Sequence, residues 1–188
     1  GNYTSLVVQP DGIWAATQSN GLMHLTLSSE DFSAQQVNYF TTTQGLPSNS
    51  QNKLFLMNGN LLVSTVNGVY QFDGKDNGTF YQSSVFGSDF KNEGKRLVAM
   101  MPLSDSAYFV ISNIDKGIAK SNGSGIYEVN TRAFNNLADR SYNTILRDFD
   151  GQLWLGGNQG LMRIASESMA EGDKDFQCLI RKVQLGDG

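Results

Sequence analysis

The sequence predicts an all-β fold, a β-propeller fragment of four blades in which each blade is a four-stranded antiparallel sheet. One segment occurs four times, at residues 11–17 (DGIWAAT), 58–65, 105–112 and 150–157 (DGQLWLGG). Equivalent positions in the copies are 48, 47 and 45 residues apart: Trp14, Leu62, Phe109 and Trp154. Twenty glycines against three prolines indicate many tight turns. A period of this length, made of short strands, is typical of propeller blades.

Each repeat begins with a strand and a turn. The turn residues are Asp-Gly or Asn-Gly in three copies, because Asn, Asp and Gly tolerate positive φ; the third copy has the poorer pair Asp105-Ser106. The second strand follows the turn and contains the tryptophan or its equivalent. The predicted first strands are 5–8, 52–56, 96–100 and 144–148.

A glycine opens the third strand of each blade, and the fourth strand is less regular. Third strands are predicted at 22–27, 69–72, 126–129 and 161–164, and fourth strands at 36–41, 79–85, near 133–137, and at 179–185. The resulting blades occupy residues 1–44, 45–90, 91–138 and 139–175. Residues 176–188 are then a closing strand or the start of a following β-sandwich domain.

Trp14 and Trp154 occur in the middle of the second strand of their blades. A packing role recurs at this position in every blade, whereas a ligand contact need not recur. We therefore predict that both side chains fill the gap between neighbouring blades. Alanine at either position is expected to lower the free energy of unfolding by about 3–5 kcal/mol.

Acidic residues outnumber basic ones by 18 to 14, and the net charge is −4. A surface for nucleic acid or for an anionic membrane needs clustered positive charge, so we expect neither partner. Cys178 is the only cysteine, and no disulfide can form within the chain. No apolar run approaches the roughly 20 residues of a membrane span. The chain opens inside the first repeat without an initiator methionine, and we interpret it as a segment of a longer protein.

Two motifs resemble the two-component regulator propeller repeat. They are the segment 150–161 (DGQLWLGGNQGL) and the link 44–50 (QGLPSNS), which is similar to the family's entry to a next blade. The resemblance implies a large propeller on the periplasmic side of a bacterial membrane, followed by a β-sandwich, a membrane span and a kinase or cyclic-dinucleotide output domain. It also implies diverse ligands, often oligosaccharides, and no invariant catalytic set. Residues 176–185 resemble the strand that leads into the sandwich.

The residues themselves offer little for catalysis. His24 is the only histidine, and it aligns with the polar residues Gln71, Glu128 and Arg163, which predicts a surface position. One histidine and one cysteine do not make a zinc site, and Asp148 and Asp150 flank a turn. We predict a non-catalytic, ligand-sensing and signal-relay segment without cofactor or metal. The alternatives are a propeller lyase or hydrolase related to streptogramin lyase, and a protein-interaction propeller.

The third blade has the one irregular connection. In the strand assignment above, its second and third strands are separated by twelve residues, 113–124, where the other blades use two or three. This connection lies on the same face as the links between blades, and insertions on a repeat scaffold often carry function. The candidate residues for a small-molecule or oligosaccharide ligand are Asp115, Lys116, Lys120, Asn122, Gln44, Asn49 and Tyr142.

Four blades are also few for a closed ring, since most propellers use more. The end blades have the most regular apolar repeats of the four, although the ends of a repeat stack normally carry polar caps. An exposed apolar face of that size drives association. We therefore expect either self-association through the first and fourth blades or a segment that is only marginally soluble.

Overall fold

The computed structural model describes residues 2–28, 30–31, 33–74, 78–91, 94–135 and 141–165. These residues form three four-stranded antiparallel sheets, one three-stranded antiparallel sheet and two single 3₁₀ turns, at Thr42–Gln44 and Arg132–Phe134. The sheets follow one another along the chain as propeller blades, and the predicted all-β propeller fold is confirmed.

The strands of the blades lie in simple up-and-down order. Blade 1 contains β1 (Tyr3–Gln9), β2 (Gly12–Thr17), β3 (Leu22–Leu27) and β4 (Ala34–Phe40). Blade 2 contains β5 (Lys53–Met57), β6 (Asn60–Thr65), β7 (Gly68–Asp73) and β8 (Thr79–Gln82). Blade 3 contains β9 (Leu97–Ser104), β10 (Ala107–Ser112), β11 (Lys116–Ser121) and β12 (Tyr127–Asn130). Blade 4 contains β13 (Tyr142–Arg147), β14 (Leu153–Gly157) and β15 (Gly160–Ile164). The strand predicted at 179–185, like the whole segment 176–188, lies outside the described residues.

The prediction for the outer half of blade 3 is wrong. β11, at Lys116–Ser121, is the third strand and pairs with β10, whereas the predicted third strand around 126–129 is β12, the fourth. The connection after β10 therefore has three residues, 113–115, instead of twelve. β11 carries no opening glycine and only one large apolar side chain, so it gives no strand pattern. Its Gly117 is needed because a Cβ there would lie 2.6 Å from the Asn130 carbonyl oxygen.

The first strand of each blade is the innermost. β1 contacts β5, β5 contacts β9, and β9 contacts β13. Polar contacts tie these strands together: the Thr4 hydroxyl donates to the Asn52 carbonyl at 3.1 Å, and the Leu54 N–H donates to the Ser5 hydroxyl at 2.9 Å. The blades therefore fan outward from a shared inner rim.

Three buried apolar clusters, one at each junction, hold the four blades together. Each blade has a trailing face, which packs on the next blade, and a leading face on its other side. Alternate residues of a strand point to opposite faces, so a central blade is apolar on both. Central members of the clusters are Trp14, Leu22 and Val63 at the first junction, Leu62, Val69 and Tyr108 at the second, and Phe109, Leu153 and Leu155 at the third.

Trp14 fills the first junction, as predicted. Its side chain is 1% exposed and lies 4.8 Å from the ring centre of Phe72 and 6.3 Å from that of Phe80, both in blade 2. Within blade 1 it contacts Phe40 at 5.0 Å and stacks on His24 at 4.3 Å with an interplanar angle of 12°. Five aromatic rings thus form the core of this junction.

Trp154 occupies the equivalent position on the trailing face of blade 4 but is only half-buried. Its indole N–H donates to Asp148 Oδ2 at 2.8 Å, and the Arg163 guanidinium lies 6.0 Å from its ring centre. The hydrogen bond from Trp154 is the main cause that lowers the pKa of Asp148. Among the described residues no buried cluster covers this face, so the packing predicted for Trp154 is not found there.

Asn58, in the turn of blade 2, is hydrogen-bonded to two tyrosines of blade 3. The Tyr108 hydroxyl donates to Asn58 Oδ1 at 2.8 Å, and Asn58 Nδ2 donates to the Tyr127 hydroxyl at 2.7 Å. Burial raises the pKa of Tyr108. Asn58 also adopts φ 50°, in the left-handed region that asparagine tolerates better than most residues. The residue therefore serves both the turn and the second junction.

We expect Asn58→Ala to lower the free energy of unfolding by about 2–4 kcal/mol, because it leaves two tyrosine hydroxyls unpaired and strains the turn. Chemical denaturation of the variant measures the loss. Asn58→Gly avoids the backbone strain but still lacks both hydrogen bonds. Its free energy of unfolding should therefore lie between those of the wild type and Asn58→Ala. Asn60→Ala, at the exposed first residue of β6, is the control, since it removes only a 3.3 Å hydrogen bond to the Asn58 carbonyl. Equal stabilities for the alanine variants at positions 58 and 60 would contradict the assigned role.

Candidate functional site

The turns between second and third strands share one face of the arc with the links between blades. Gly21 N–H donates to the Asn49 carbonyl at 2.7 Å, Gly94 N–H to Val66 at 3.1 Å, and Asn113 N–H to Arg96 at 3.1 Å. In each pair one residue lies in a turn and the other in the neighbouring link. This face is named the link face below, and it contains the 113–115 turn of blade 3.

A cavity of about 270 Å³ opens on the link face between blades 3 and 4. This link-face cavity combines apolar walls with neutral polar groups and one charged side chain. The residues that line it are Val98, Ile111, Ser112, Asn113, Ile114, Lys116, Ser141, Tyr142 and Asn143. Two of the residues predicted for a ligand site, Lys116 and Tyr142, meet here.

Tyr142 forms a wall of the cavity at the start of the inner strand β13. Its backbone pairs with Gly157, where a Cβ would lie 2.1 Å from the Ser141 carbonyl oxygen, so glycine permits this close approach. The ring is buried, and its hydroxyl lies 3.5 Å from Met162 Sδ. The Lys116 ammonium lies 5.5 Å from the ring centre, within the range of a cation–π contact.

Asp115 precedes Lys116 but is bound to other partners. Its Oδ2 lies 2.9 Å from Lys95 Nζ, and its Oδ1 accepts a hydrogen bond from the Ser112 hydroxyl at 2.6 Å. Lys95 also lies 3.7 Å from Asp89 and 5.0 Å from the ring centre of Phe90. The Asp115 carboxylate is thus paired with Lys95, in the link before β9, and its bond to Ser112 holds the 113–115 turn in place.

Lys120 and Asn122 lie elsewhere. Because residues 116–121 are a strand and not part of a loop, Lys120 lies toward the far end of β11, and Asn122 lies in the turn after it, beside the Ser106 turn rather than the links. Both residues line a second cavity of about 710 Å³. This outer cavity is bounded by β11, β12 and the Arg132–Phe134 turn, and its charged members are Lys120, Glu128 and Arg132.

Gln44 and Asn49 are held within the link between blades 1 and 2. Gln44 Oε1 accepts the Thr41 N–H at 2.8 Å, and Asn49 Oδ1 accepts the Thr42 N–H at 3.0 Å. These bonds cap the 3₁₀ turn and close the link. The seven candidate residues therefore occupy three separate places instead of one site.

Sequence reasoning missed Lys53 at the inner rim. Lys53 is half-buried, and its ammonium donates to the carbonyl of Val98, a residue of the link-face cavity, at 2.6 Å. Burial lowers the pKa of Lys53. The sequence did contain a signal for this residue, because a lysine stands where the other blades have small residues. The equivalents of Lys53 by strand register are Ser5, Ala99 and Thr144.

His24 is not at the surface, contrary to the sequence prediction. It is 9% exposed, stacked on Trp14 in the first junction, with Nε2 3.7 Å from the exposed Asp11 carboxylate. Strand register makes Ile118, not Glu128, its equivalent in blade 3. In the described part of the chain no three His, Cys, Asp or Glu side chains are grouped as metal ligands require.

The described residues also contain no helix with the length and apolarity needed to cross a membrane.

Comparison with known proteins identifies the repeat. Residues 136–159 match the family described as "Two component regulator propeller". No protein with a curated function matches the chain in sequence.

Two solved structures have similar folds. One is the extracellular domain of the hybrid two component system BT4673 from B. thetaiotaomicron, with a TM-score of 0.67 and 16% identity over 96% of this chain. The other is that of BT3049 from B. thetaiotaomicron, with a TM-score of 0.58 and 18% identity over 89% of this chain. In both comparisons the chain spans only 22% of the solved chain's length. The resemblance predicted from the sequence is confirmed for residues 136–159, which match the two-component regulator propeller repeat.

Proposed function

We propose that this chain is a non-catalytic, ligand-sensing and signal-relay segment of a bacterial transmembrane signalling protein, located on the periplasmic side. The repeat match and the similar folds of extracellular two-component domains support the proposal. The ligand class is a small molecule or an oligosaccharide fragment. No cofactor enters the proposal.

The observation that carries the proposal is the composition of the link-face cavity. Its lining comes from two blades: Lys116 and Asn113 belong to blade 3, whereas Tyr142 and Asn143 belong to blade 4. A ligand that contacts both blades stabilises the packing of the junction to which it binds most tightly. The size of this effect equals the difference in its binding free energy between the alternative packings. Binding in this cavity can therefore be passed to the blades as a change in their relative orientation.

The lyase or hydrolase alternative requires an accessible histidine near acidic groups. His24 is instead packed against Trp14 inside the first junction. The interaction alternative has one observation in its favour, the uncovered faces of the end blades, and we propose self-association through them as a second property of the chain. Its test is given in the Discussion.

A screen of the 188-residue chain tests ligand sensing. Thermal-shift assays with amino acids, dipeptides, and neutral and acidic sugars should yield a ligand that raises the melting temperature. In ¹H–¹⁵N spectra that ligand should shift the amides of residues 113–116 and 141–143. Asn143→Ala, in the link-face cavity, should weaken binding, whereas Asn122→Ala, in the outer cavity, should not.

Three results would count against the proposed function. One is no response to any compound in the screen. Another is a ligand whose shifts and variant effects map to the outer cavity. The third is turnover of a ligand that disappears in His24→Ala, which would favour the lyase or hydrolase alternative.

A further inference from the structure

We infer that the link-face cavity selects ligands that carry an anionic group, a carboxylate or a sulfate ester, through the ammonium of Lys116. This inference rests on the proposed function, because it names the ligand class of the same cavity. It follows from how charge is distributed among the residues around the cavity.

Lys116 is the only charged side chain among the described residues that line the cavity. The nearest carboxylate in sequence, Asp115, is bound to Lys95 and Ser112. No described carboxylate lies within 4.0 Å of the Lys116 ammonium. The Lys116 ammonium lies over the face of the Tyr142 ring, which attracts a cation but does not neutralise it. An anionic ligand group would supply the missing partner.

One further cation, Lys53, contacts the lining of the cavity, and a second, Arg96, belongs to the neighbouring link. The Lys53 ammonium donates to the carbonyl of Val98, and the Arg96 guanidinium donates to Gln51 Oε1 at 2.6 Å. Both acceptors are neutral, and neither cation forms an ion pair with a described residue. The backbone N–H of Arg96 donates to Asn113 Oδ1, which places the Arg96 backbone beside the cavity, whereas its guanidinium reaches Gln51 in the link between blades 1 and 2. Lys116 and Lys53 therefore bring positive charge to a cavity whose neighbouring carboxylate, Asp115, is paired with Lys95, although the chain has a net charge of −4.

The size and the remaining lining set further limits on the ligand. A volume of about 270 Å³ lies slightly below the roughly 300–1,000 Å³ of typical ligand sites, and suits a single ring or a short chain. Ser141 and Asn143, both exposed on the blade 4 side, can hydrogen-bond to hydroxyl groups. A small hydroxylated acid or sulfate fits this combination better than a neutral apolar compound.

The outer cavity provides the contrast. Lys120 lies directly opposite Glu128 in the pairing of β11 with β12, and both side chains line that cavity. A cross-strand carboxylate competes there with any anionic ligand. Lys120 is therefore a matched control for Lys116, since both lie on β11 and only Lys116 faces the link-face cavity.

The test compares three sugars that differ at one position: glucuronate, glucose 6-sulfate and glucose. Calorimetry and the amide shifts of residues 113–116 and 141–143 would measure binding to the 188-residue chain. We expect at least one of the charged sugars to bind about tenfold or more tightly than glucose, as a charge-assisted hydrogen bond would give. Whether glucuronate or the 6-sulfate binds more tightly tells carboxylate from sulfate recognition. Raising the salt concentration should weaken the binding of the charged sugar and leave the affinity for glucose unchanged.

Substitutions test whether the Lys116 ammonium is the group that recognises the anionic ligand. Lys116→Met should reduce the charged sugar's affinity to that of glucose, Lys116→Arg should restore part of it, and Lys120→Met should have no effect. Equal affinities for all three sugars, a loss in Lys120→Met, or wild-type affinity in Lys116→Met would overturn the inference. A neutral compound from the earlier screen that binds in the cavity while neither acid does would overturn the inference and leave the proposed function standing. No binding by any compound would overturn both.

Discussion

Trp14→Ala is expected to lower the free energy of unfolding by about 3–5 kcal/mol, the range for removing a large buried aromatic side chain. The indole lies between blades 1 and 2, with Phe40, Phe72 and Phe80 around it and His24 stacked on it. The three phenylalanine rings already contact one another, which limits how far they can move to fill the space. Urea denaturation followed by circular dichroism measures the loss.

Trp154→Ala is the matched control, at the equivalent position of blade 4. Its side chain is half-buried, and its contacts are with Arg163 and Asp148 of its own blade. We expect a loss of about 1–2 kcal/mol for the isolated chain, smaller than the sequence alone suggested. Equal losses at the two positions would mean that the Trp154 face is covered in solution. A loss under 1 kcal/mol at Trp14 would show that the first junction contributes little to stability.

The second large effect expected is self-association. The leading face of blade 1 carries two cross-strand rows of apolar side chains, which strand register defines as Val8–Ile13–Leu25–Val37 and Leu6–Ala15–Met23–Tyr39, with Ala15 buried among them. Leu6 and Val8 are 64% and 68% exposed. The trailing face of blade 4 presents Trp154 together with Leu146, which is 63% exposed. Exposed apolar surface of this extent favours association.

The two faces correspond to the two sides of one junction type. Leu61 and Val63, which pack against Trp14 in the first junction, are the equivalents of Ile13 and Ala15, whereas Trp154 is the equivalent of Trp14. The leading face of one copy can therefore pack on the trailing face of another. Such a head-to-tail contact is heterologous, so blocking either face should prevent it.

Light scattering at increasing concentration should give a mass above the 20.6 kDa of one chain. Val8→Asp, on the leading face, and Leu146→Asp, on the trailing face, should each be monomeric. An equal mixture of the two variants should form dimers, because each retains the face that the other lacks. A wild-type chain that stays monomeric at high concentration would contradict this proposal, and so would dimers of Leu146→Asp alone.

The sequence was sufficient for the blades whose strands follow the repeat closely. Asp11-Gly12, Asn58-Gly59 and Asp150-Gly151 place tight turns where the structure has them, and the predicted third strand 22–27 agrees with β3. These features are local, because a turn residue and an alternating strand specify their own backbone. The packing role of Trp14 could also be predicted, since a position repeated in every blade implies a repeated environment.

Blade 3 shows where local signals fail. The segment 116–121 (KGIAKS) has two lysines and a glycine, and nothing in its composition indicates a strand. It becomes β11 because β10 and β12 pair with its two edges and a neighbouring carbonyl occupies the space above Gly117. The same error placed Lys116 and Asn122 in one loop, whereas a strand separates them.

The sequence by itself determined the repeat, the turns and the alternation of apolar residues, since each depends on residues close together in the chain. Only the tertiary structure decided which faces are covered and which polar groups meet. Trp14 and Trp154 have the same local sequence signal, but only Trp14 has a following blade among the described residues. Lys116 and Tyr142 are far apart in the chain and meet because blades 3 and 4 pack side by side. Burial and charge pairing depend on what lies across a junction, and that neighbour is set by the packing of whole sheets.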